Sequence, residues 1–253
     1  MTRSLFWLSD EEWRRIEPYL PQGRRGARRV DDRRVISGII HMLKTGARWR
    51  DCPAEYGPYT TIYNRFNRWS KQGVWHDVFY VLSGSSGIVS TTAVDSTHIK
   101  AHRSASGAKG GTFAQAIGRS RGGRTTKIHA LTDEVGRPLA FALTPGHAHD
   151  LTGAAKLLEQ TSVPNRLIAE RAYDAKAFRN WLAERGCEAV IPPNPTRKHP
   201  HAYDRTAYKM RNVIERMFCR MKDFRRIATR YDKTADAFLS AVFIVATLIW
   251  WLN

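Results

Sequence analysis

The stretch "TTAVDSTHIKA", residues 91–101, decides how the chain is read. It is a strand-like run rich in β-branched residues, and it carries an aspartate, Asp95, directly after "TTAV". Aspartate is disfavoured in strands, and a carboxylate near the middle of a sheet normally needs a partner such as a cation. A chain that places an acid there invites the question of what the acid holds.

Upstream of residue 91 the periodicity is helical. "LSDEEWRRIEPYL" opens with Ser9 as a candidate N-cap and Glu12 three residues on, a capping-box spacing, and Pro18 should end or kink that helix. "DDRRVISGIIHMLKTG" puts Val35, Ile36, Ile39, Ile40 and Leu43 on one face and stops at Gly46. "TTIYNRFNRWSKQGVWHDVFYVL" sets Ile62, Phe66 and Trp69 on one side and Arg65 and Arg68 on another. With the Pro- and Gly-containing "ARWRDCPAEYGPY" between them, these last two helices can form a helix-turn-helix whose reading helix is 60–71, or an ordinary helical bundle with a solvated basic face. Basic residues interleaved with aromatics favour DNA.

Downstream the grammar changes. "RTTKIHALTD" and "GRPLAFALTPG" read as strands of a meander, "HDLTGAAKLLEQ" as a helix, "RLIAE" as a strand, "AKAFRNWLAERG" as a helix ending at Gly186, and "CEAVIPP" as a last strand. Strands first, then alternating strand and helix, imply an α/β fold with a mixed β-sheet flanked by helices. The expected division is a helical domain over 1–82, a polar linker over 83–92 and the sheet domain over 93–253. Two basic segments, "RSASGAKGGTFAQAIGRSRGGR" and "PPNPTRKHPHAYD", are expected to be phosphate-contacting loops, the first with Arg119, Arg121 and Arg124, and Lys127 just beyond it.

The charge of +18 and pI near 10.3 call for a polyanionic partner, with nucleic acid first and an anionic membrane surface as the rival. Three scattered cysteines, Cys52, Cys187 and Cys219, give neither a disulfide framework nor a zinc motif, which fits a reducing, cytoplasmic setting. "MTRSLFWLSDEEW" lacks a signal-peptide core, and the apolar run "FLSAVFIVATLIWWLN" is shorter than the roughly 20 residues of a spanning helix, so a buried helix is expected there.

Catalytic chemistry centres on carboxylates. In "YKMRNVIERMFCRMKDF", residues 208–224, helical spacing places Tyr208, Arg211, Glu215 and Lys222 in one polar stripe beside a broad apolar face. An intrahelical ion pair of Glu215 with Arg211 or Arg216 is the plain alternative. Glu170, at the end of "RLIA", sits as Asp95 does. If the two strands are neighbours and the helix crosses them, three carboxylates converge, and hard oxygen donors of that kind favour Mg²⁺ or Mn²⁺. Two such ions support in-line phosphoryl displacement. His147 and His149 in "PGHAHD" form a weaker zinc candidate, with Asp150 as a helix cap. Ser96, Thr97 and His98 lack the setting of a nucleophilic hydrolase.

The spacing Tyr208-x2-Arg211-x3-Glu215-x6-Lys222 resembles the Tyr-Arg-Glu-Lys signature of DDE-class insertion-sequence transposases, particularly the insertion sequence five family. "DSTHIKAHRSASG", "GRSRGGRTTKIHALTD", "FRRIATRYDK" and the amino-terminal "LSDEEWRRIEPYLP" through "GVW" are similar to that family too. The resemblance implies an RNase H-like catalytic domain behind a helical DNA-binding domain, acting in the bacterial cytoplasm at the nucleoid. It implies cleavage at terminal inverted repeats and joining of the freed 3′-hydroxyl to target DNA, by at least a dimer in the synaptic complex. Carried over, Asp95 and Glu215 are catalytic, while Arg211 and Lys222 position end phosphates and Tyr208 supports them. Glu170 stands where the family has its second aspartate, one methylene longer. A DNA-binding copy with an attenuated site is therefore the alternative, and a general nuclease a weaker one. Asp174, four residues on, is expected to cap the helix starting near Ala175.

Overall fold

The computed structural model describes residues 4–22, 31–84, 90–107 and 109–252, apart from the side chain of residue 113. Four helices come first: α1 (Asp10–Ile16), α2 (Asp32–Thr45), α3 (Tyr59–Lys71) and α4 (Val74–Gly84). Then follow β1 (Thr91–Ala101), α5 (Gly111–Gln115), β2 (Gly118–Ser120), β3 (Gly123–Thr132), β4 (Pro138–Pro145), α6 (Asp150–Leu158), β5 (Arg166–Ala169), α7 (Lys176–Ala183) and β6 (Glu188–Val190). The last elements are α8 (Arg205–Tyr208), α9 (Asn212–Lys222), α10 (Arg225–Ala228), the two-residue β7 (Thr229–Arg230) and α11 (Ala235–Ala246). The chain forms two compact units, one of residues 1–83, 102–107 and 221–253, the other of 84–101 and 108–220. The expected sequence division thus differs from the compact units: residues 221–253 gather with the amino-terminal helices. Residues 85–89 of the expected linker lie outside the described residues.

In the first unit, Ser9 and Glu12 close the expected capping box, with backbone N–H bonds of 3.2 and 2.6 Å in the two directions. Asp31 caps α2, and Gly46 ends it in the left-handed region at φ 71°. A Cβ at Gly46 would lie 2.7 Å from that of Arg225, so both backbone and space require glycine. The predicted apolar faces are buried: Val35, Ile36, Ile39, Ile40 and Leu43 on α2, and Ile62, Phe66 and Trp69 on α3. α11 packs on α2 and α3, and its Phe238, Ala241 and Val242 are buried, as the apolar run at 238–253 was expected to be. No helix among the described residues is long and apolar enough to cross a membrane.

Two expectations change in this unit. Between α2 and α3 the chain makes two 3₁₀ turns, Trp49–Asp51 and Ala54–Tyr56, instead of the three- or four-residue turn of a helix-turn-helix. Pro53 and Pro58, which lack the donors that would prolong a helix, precede the second turn and α3. Arg65 is also not a surface cation: it is buried, ion-paired with Asp32, and its guanidinium lies 4.8 Å from the Trp69 ring centroid. Arg68, on the adjoining face, is exposed.

The second unit is built on the sheet. β1 runs antiparallel to β3, with Asp95 opposite Ala130, and β3 pairs antiparallel with β4 and β2. On its other edge β1 is parallel to β5, which is parallel to β6. Leaving the short β2 aside, the order β4-β3-β1-β5-β6 is three antiparallel strands continued by two parallel ones, the RNase H-like arrangement. α6 packs on β1, β3 and β4, α7 on β6, and α8 on β5 and β6. The basic stretch 103–124 is more regular than a loop: it holds a 3₁₀ turn at Arg103–Ala105, α5, and β2 in a hairpin with β3.

Buried ion pairs are costly to break because the surviving charge stays desolvated. Arg65→Ala is therefore expected to lower unfolding free energy by about 3 kcal/mol in denaturant titrations. Arg68→Ala should stay within about 0.5 kcal/mol of the parent.

Candidate active site

Register brings the first two acids together. β1 and β5 pair in parallel from Thr91↔Arg166 to Val94↔Ala169, so the next residues on the two strands are Asp95 and Glu170. Parallel neighbours in register share a face of the sheet.

The third acid arrives on the helical segment. Residues 205–222, expected as one helix from Tyr208, form α8, a 3₁₀ turn over Lys209–Arg211, and α9. At the end of that turn Arg211 reaches all three carboxylates. Its Nη1 donates to Asp95 Oδ2 at 2.6 Å, its Nη2 donates to Glu215 Oε1 at 2.5 Å, and Nη1 stands 4.0 Å from Glu170 Oε2. The intrahelical Arg211–Glu215 pair weighed from sequence does form, and the same guanidinium extends it to the sheet.

Asp95 is buried, 7% exposed, and its second oxygen, Oδ1, accepts the Ser96 backbone N–H at 2.7 Å. Burial pushes its carboxyl up to about 6. The Ser96 N–H and Arg211 pull it back, and the neighbouring Glu170 and Glu215 charges add to the rise. The donor set is all carboxylate oxygen, the chemistry of a hard divalent ion. Among the described residues no group of three or more His, Cys, Asp or Glu is drawn together as a metal cluster; the guanidinium stands between the acids.

Adjacent strand residues face opposite sides, so Ser96 points away from Asp95. Its hydroxyl donates to Asp150 Oδ1 at 2.6 Å, and Lys127 Nζ donates to the same oxygen and to the Ala148 carbonyl, both at 2.9 Å. Burial raises the Asp150 carboxyl, but the bonds from Ser96 and Lys127 outweigh it and the net shift is downward. Two expectations are corrected here. Lys127, expected beside a phosphate, is buried with its ammonium ion-paired to Asp150. Asp150 is not the cap of α6: His149 is, through Nδ1 accepting the Leu151 N–H.

Asp174 is corrected as well. The N-cap of α7 is Ala175, without a side-chain bond. The Asp174 carboxylate is enclosed, accepting from Arg179 Nε at 2.6 Å, Asn194 N at 2.7 Å and Arg197 Nε at 3.0 Å. It ties the 192–204 segment down, and Arg197 with it, so that segment's basic charge is only partly free for phosphate. Exposed at the β2–β3 hairpin are Arg119, Arg121 and Arg124. Tyr208 is half-buried with its ring 5.6 Å from that of Tyr203, and Lys222 lies in the last turn of α9.

Three carboxylates, within β1, just after β5 and on α9, surround one guanidinium, and family comparison places the chain. The family model described as "Transposase DDE domain" matches residues 89–251. The chain belongs to the DDE transposases. Residues 8–79 match a second family model, "Putative transposase of IS4/5 family". A "Putative transposase for insertion sequence element IS6501" of Brucella ovis is 40% identical over 127 residues, 50% of this chain and 98% of that protein. A "Putative transposase for insertion sequence element IS402" of Burkholderia cepacia is 30% identical over 137 residues, 50% of this chain and 63% of that protein. Among solved structures, a Mos1 transposase paired-end complex with left transposon end aligns over 83% of this chain and 82% of that one, at 11% identity and a TM-score of 0.27. That superposition is too loose to bear on individual residues of this DDE transposase.

Donors to a carboxylate hold it ionised, and in Asp174 the Asn194 N–H, Arg179 and Arg197 outweigh the cost of burial, lowering it to about 2. A depressed folded-state value stabilises the fold above the unfolded range near 4 and loses that contribution as pH falls toward 2. Asp174→Asn should accordingly lower the denaturation midpoint at pH 7, with the gap to the parent closing between about pH 4 and pH 2 in a pH series of unfolding curves.

Proposed function

We propose that this chain is a DNA transposase that binds the terminal inverted repeats of its element, cleaves the ends and joins the 3′-hydroxyl to target DNA. The convergence of Asp95, Glu170 and Glu215 on one guanidinium carries the reading. Those three acids would hold two Mg²⁺ or Mn²⁺ ions. When bound, such ions activate an attacking oxygen and offset charge on the leaving oxygen of an in-line phosphoryl displacement. The chain's own groups do the rest. The Ser96 N–H fixes the rotamer of Asp95, and the Asp150–Lys127 pair anchors β1 from the other face of the sheet. Arg211 and Lys222 position the end phosphates, with Tyr208 beside them, in the role of the Tyr-Arg-Glu-Lys signature. Arg68 and the hairpin arginines Arg119, Arg121 and Arg124 neutralise the flanking backbone.

Pairing two ends requires two protomers in the synaptic complex, acting on double-stranded DNA in the cytoplasm at the nucleoid. The net charge of +18 supports the polyanionic partner. The helical division 1–82 and the catalytic division 93–253 are retained as functional segments of the chain, with residues 221–253 packed among the helices of the first unit.

One observation favours a second reading, a DNA-binding copy with attenuated cleavage. Glu170 lies farthest of the three acids from Arg211, at 4.0 Å where the others lie at 2.6 and 2.5 Å. A carboxylate displaced by one methylene can lose on the order of a hundredfold in rate.

Cleavage of a plasmid carrying the element's two ends, in Mg²⁺ or Mn²⁺, separates these readings. End-specific nicking and strand joining by the parent, lost at least about a hundredfold in Asp95→Asn and Glu215→Gln, is the expected result. Product from Glu170→Asp alone would establish the attenuated copy, and equal cutting of unrelated duplexes would point to a general nuclease. In binding titrations, Arg119→Ala, Arg121→Ala and Arg124→Ala should each reduce the salt slope by about 1, whereas Lys127→Ala should not.

A further inference from the structure

We infer that Arg211 is a built-in cation that must give up its carboxylates before divalent ions can enter, so that one side chain couples phosphate binding to ion loading. The inference rests on the divalent-ion reading of Asp95, Glu170 and Glu215 and adds how that site is controlled.

The argument is one of shared oxygens. Asp95 has two, and Oδ1 accepts the Ser96 backbone N–H at 2.7 Å. Oδ2 holds Arg211 Nη1 at 2.6 Å, so the guanidinium stands where an ion on that oxygen would sit. Mg²⁺ binds carboxylate oxygen at about 2.0–2.1 Å, well inside the space that N–H donor occupies. Glu215 Oε1 is engaged by the same guanidinium, on Arg211 Nη2 at 2.5 Å. A guanidinium in this position also repels a second cation, and the partly buried setting strengthens that repulsion. Arg211 itself is enclosed on most sides with its side chain 20% exposed, so one edge faces outward. A planar two-pronged donor released from two carboxylates is matched to a phosphate group, which offers two acceptor oxygens at similar spacing. Phosphate binding that draws Arg211 away frees Asp95 and Glu215. By linkage, ions that occupy those acids release Arg211 for phosphate.

The test uses the full chain without DNA and Mn²⁺ alone as the probe, with free Mn²⁺ counted by electron paramagnetic resonance. Arg211→Gln should bind Mn²⁺ at least about tenfold more tightly than the parent. Arg216→Gln, which removes an exposed charge from the next turn, should change affinity by no more than about twofold. Asp95→Asn added to Arg211→Gln should abolish the gain. Arg211→Lys keeps the charge but cannot bridge Asp95 and Glu215 with two nitrogens, and should bind about threefold more tightly than the parent. It also serves if Arg211→Gln does not fold. Equal Mn²⁺ affinity in the parent, Arg211→Gln and Arg211→Lys would overturn the inference and leave the ion site standing. Failure of every variant to bind Mn²⁺ would overturn the ion site and the inference together.

Discussion

A single guanidinium organises the acidic cluster of this DDE transposase. Asp95 is buried by the strand that carries it, and burial alone would drive its carboxyl toward the neutral form. Arg211 supplies the compensating charge and at the same time ties the middle of β1 to the helical segment that presents Glu215. The parallel register of β1 and β5 brings Glu170 to the same place. Geometry that could have left three acids scattered over 120 residues of sequence thus resolves into one cation-centred cluster, the kind of charge density that divalent ions and phosphate groups exploit.

That cluster depends on polar structure beneath it. Ser96, Asp150 and Lys127 form a buried chain on the opposite face of the sheet, joining β1, α6 and β3. Nearby, burial lowers His129 to about 4, keeping it neutral, and its Nε2 lies 2.7 Å from Thr144 Oγ1. A Cβ at Gly153 of α6 would fall 2.1 Å from His129 Nδ1, so this glycine allows the helix to lie against the sheet. The bonds among Ser96, Asp150 and Lys127 spare those groups the cost of buried orphans, and together they restrict how the strand bearing Asp95 can move.

Much of this was legible in the chain itself. An aspartate inside a β-branched run, a second acid closing "RLIA", and Arg211 and Glu215 four residues apart on a helix are local signals, and the structure brings those four residues together. The capping box at Ser9 and the apolar stripes of α2 and α3 were equally plain, because period and caps are short-range properties. What failed was the fate of individual charges. Arg65 and Lys127 look like phosphate contacts in a basic chain, yet Asp32 and Asp150 claim them, and those acids lie 33 and 23 residues away. Asp150 and Asp174 sit where caps are expected, but tertiary partners outbid the local backbone for their carboxylates. The two-unit arrangement was hidden for the same reason: nothing local in 221–253 says that it packs with helices at the other end of the sequence.

The most direct test of the account is the position of the ions. Crystals of the chain with its element's end DNA and Mn²⁺, measured at the manganese absorption edge, should give anomalous peaks bounded by Asp95, Glu170 and Glu215, with Arg211 turned to a phosphate oxygen. Peaks held elsewhere, at His147 and His149 for example, or their absence with Arg211 still bonded to Asp95 and Glu215 beside a bound DNA end, would contradict it.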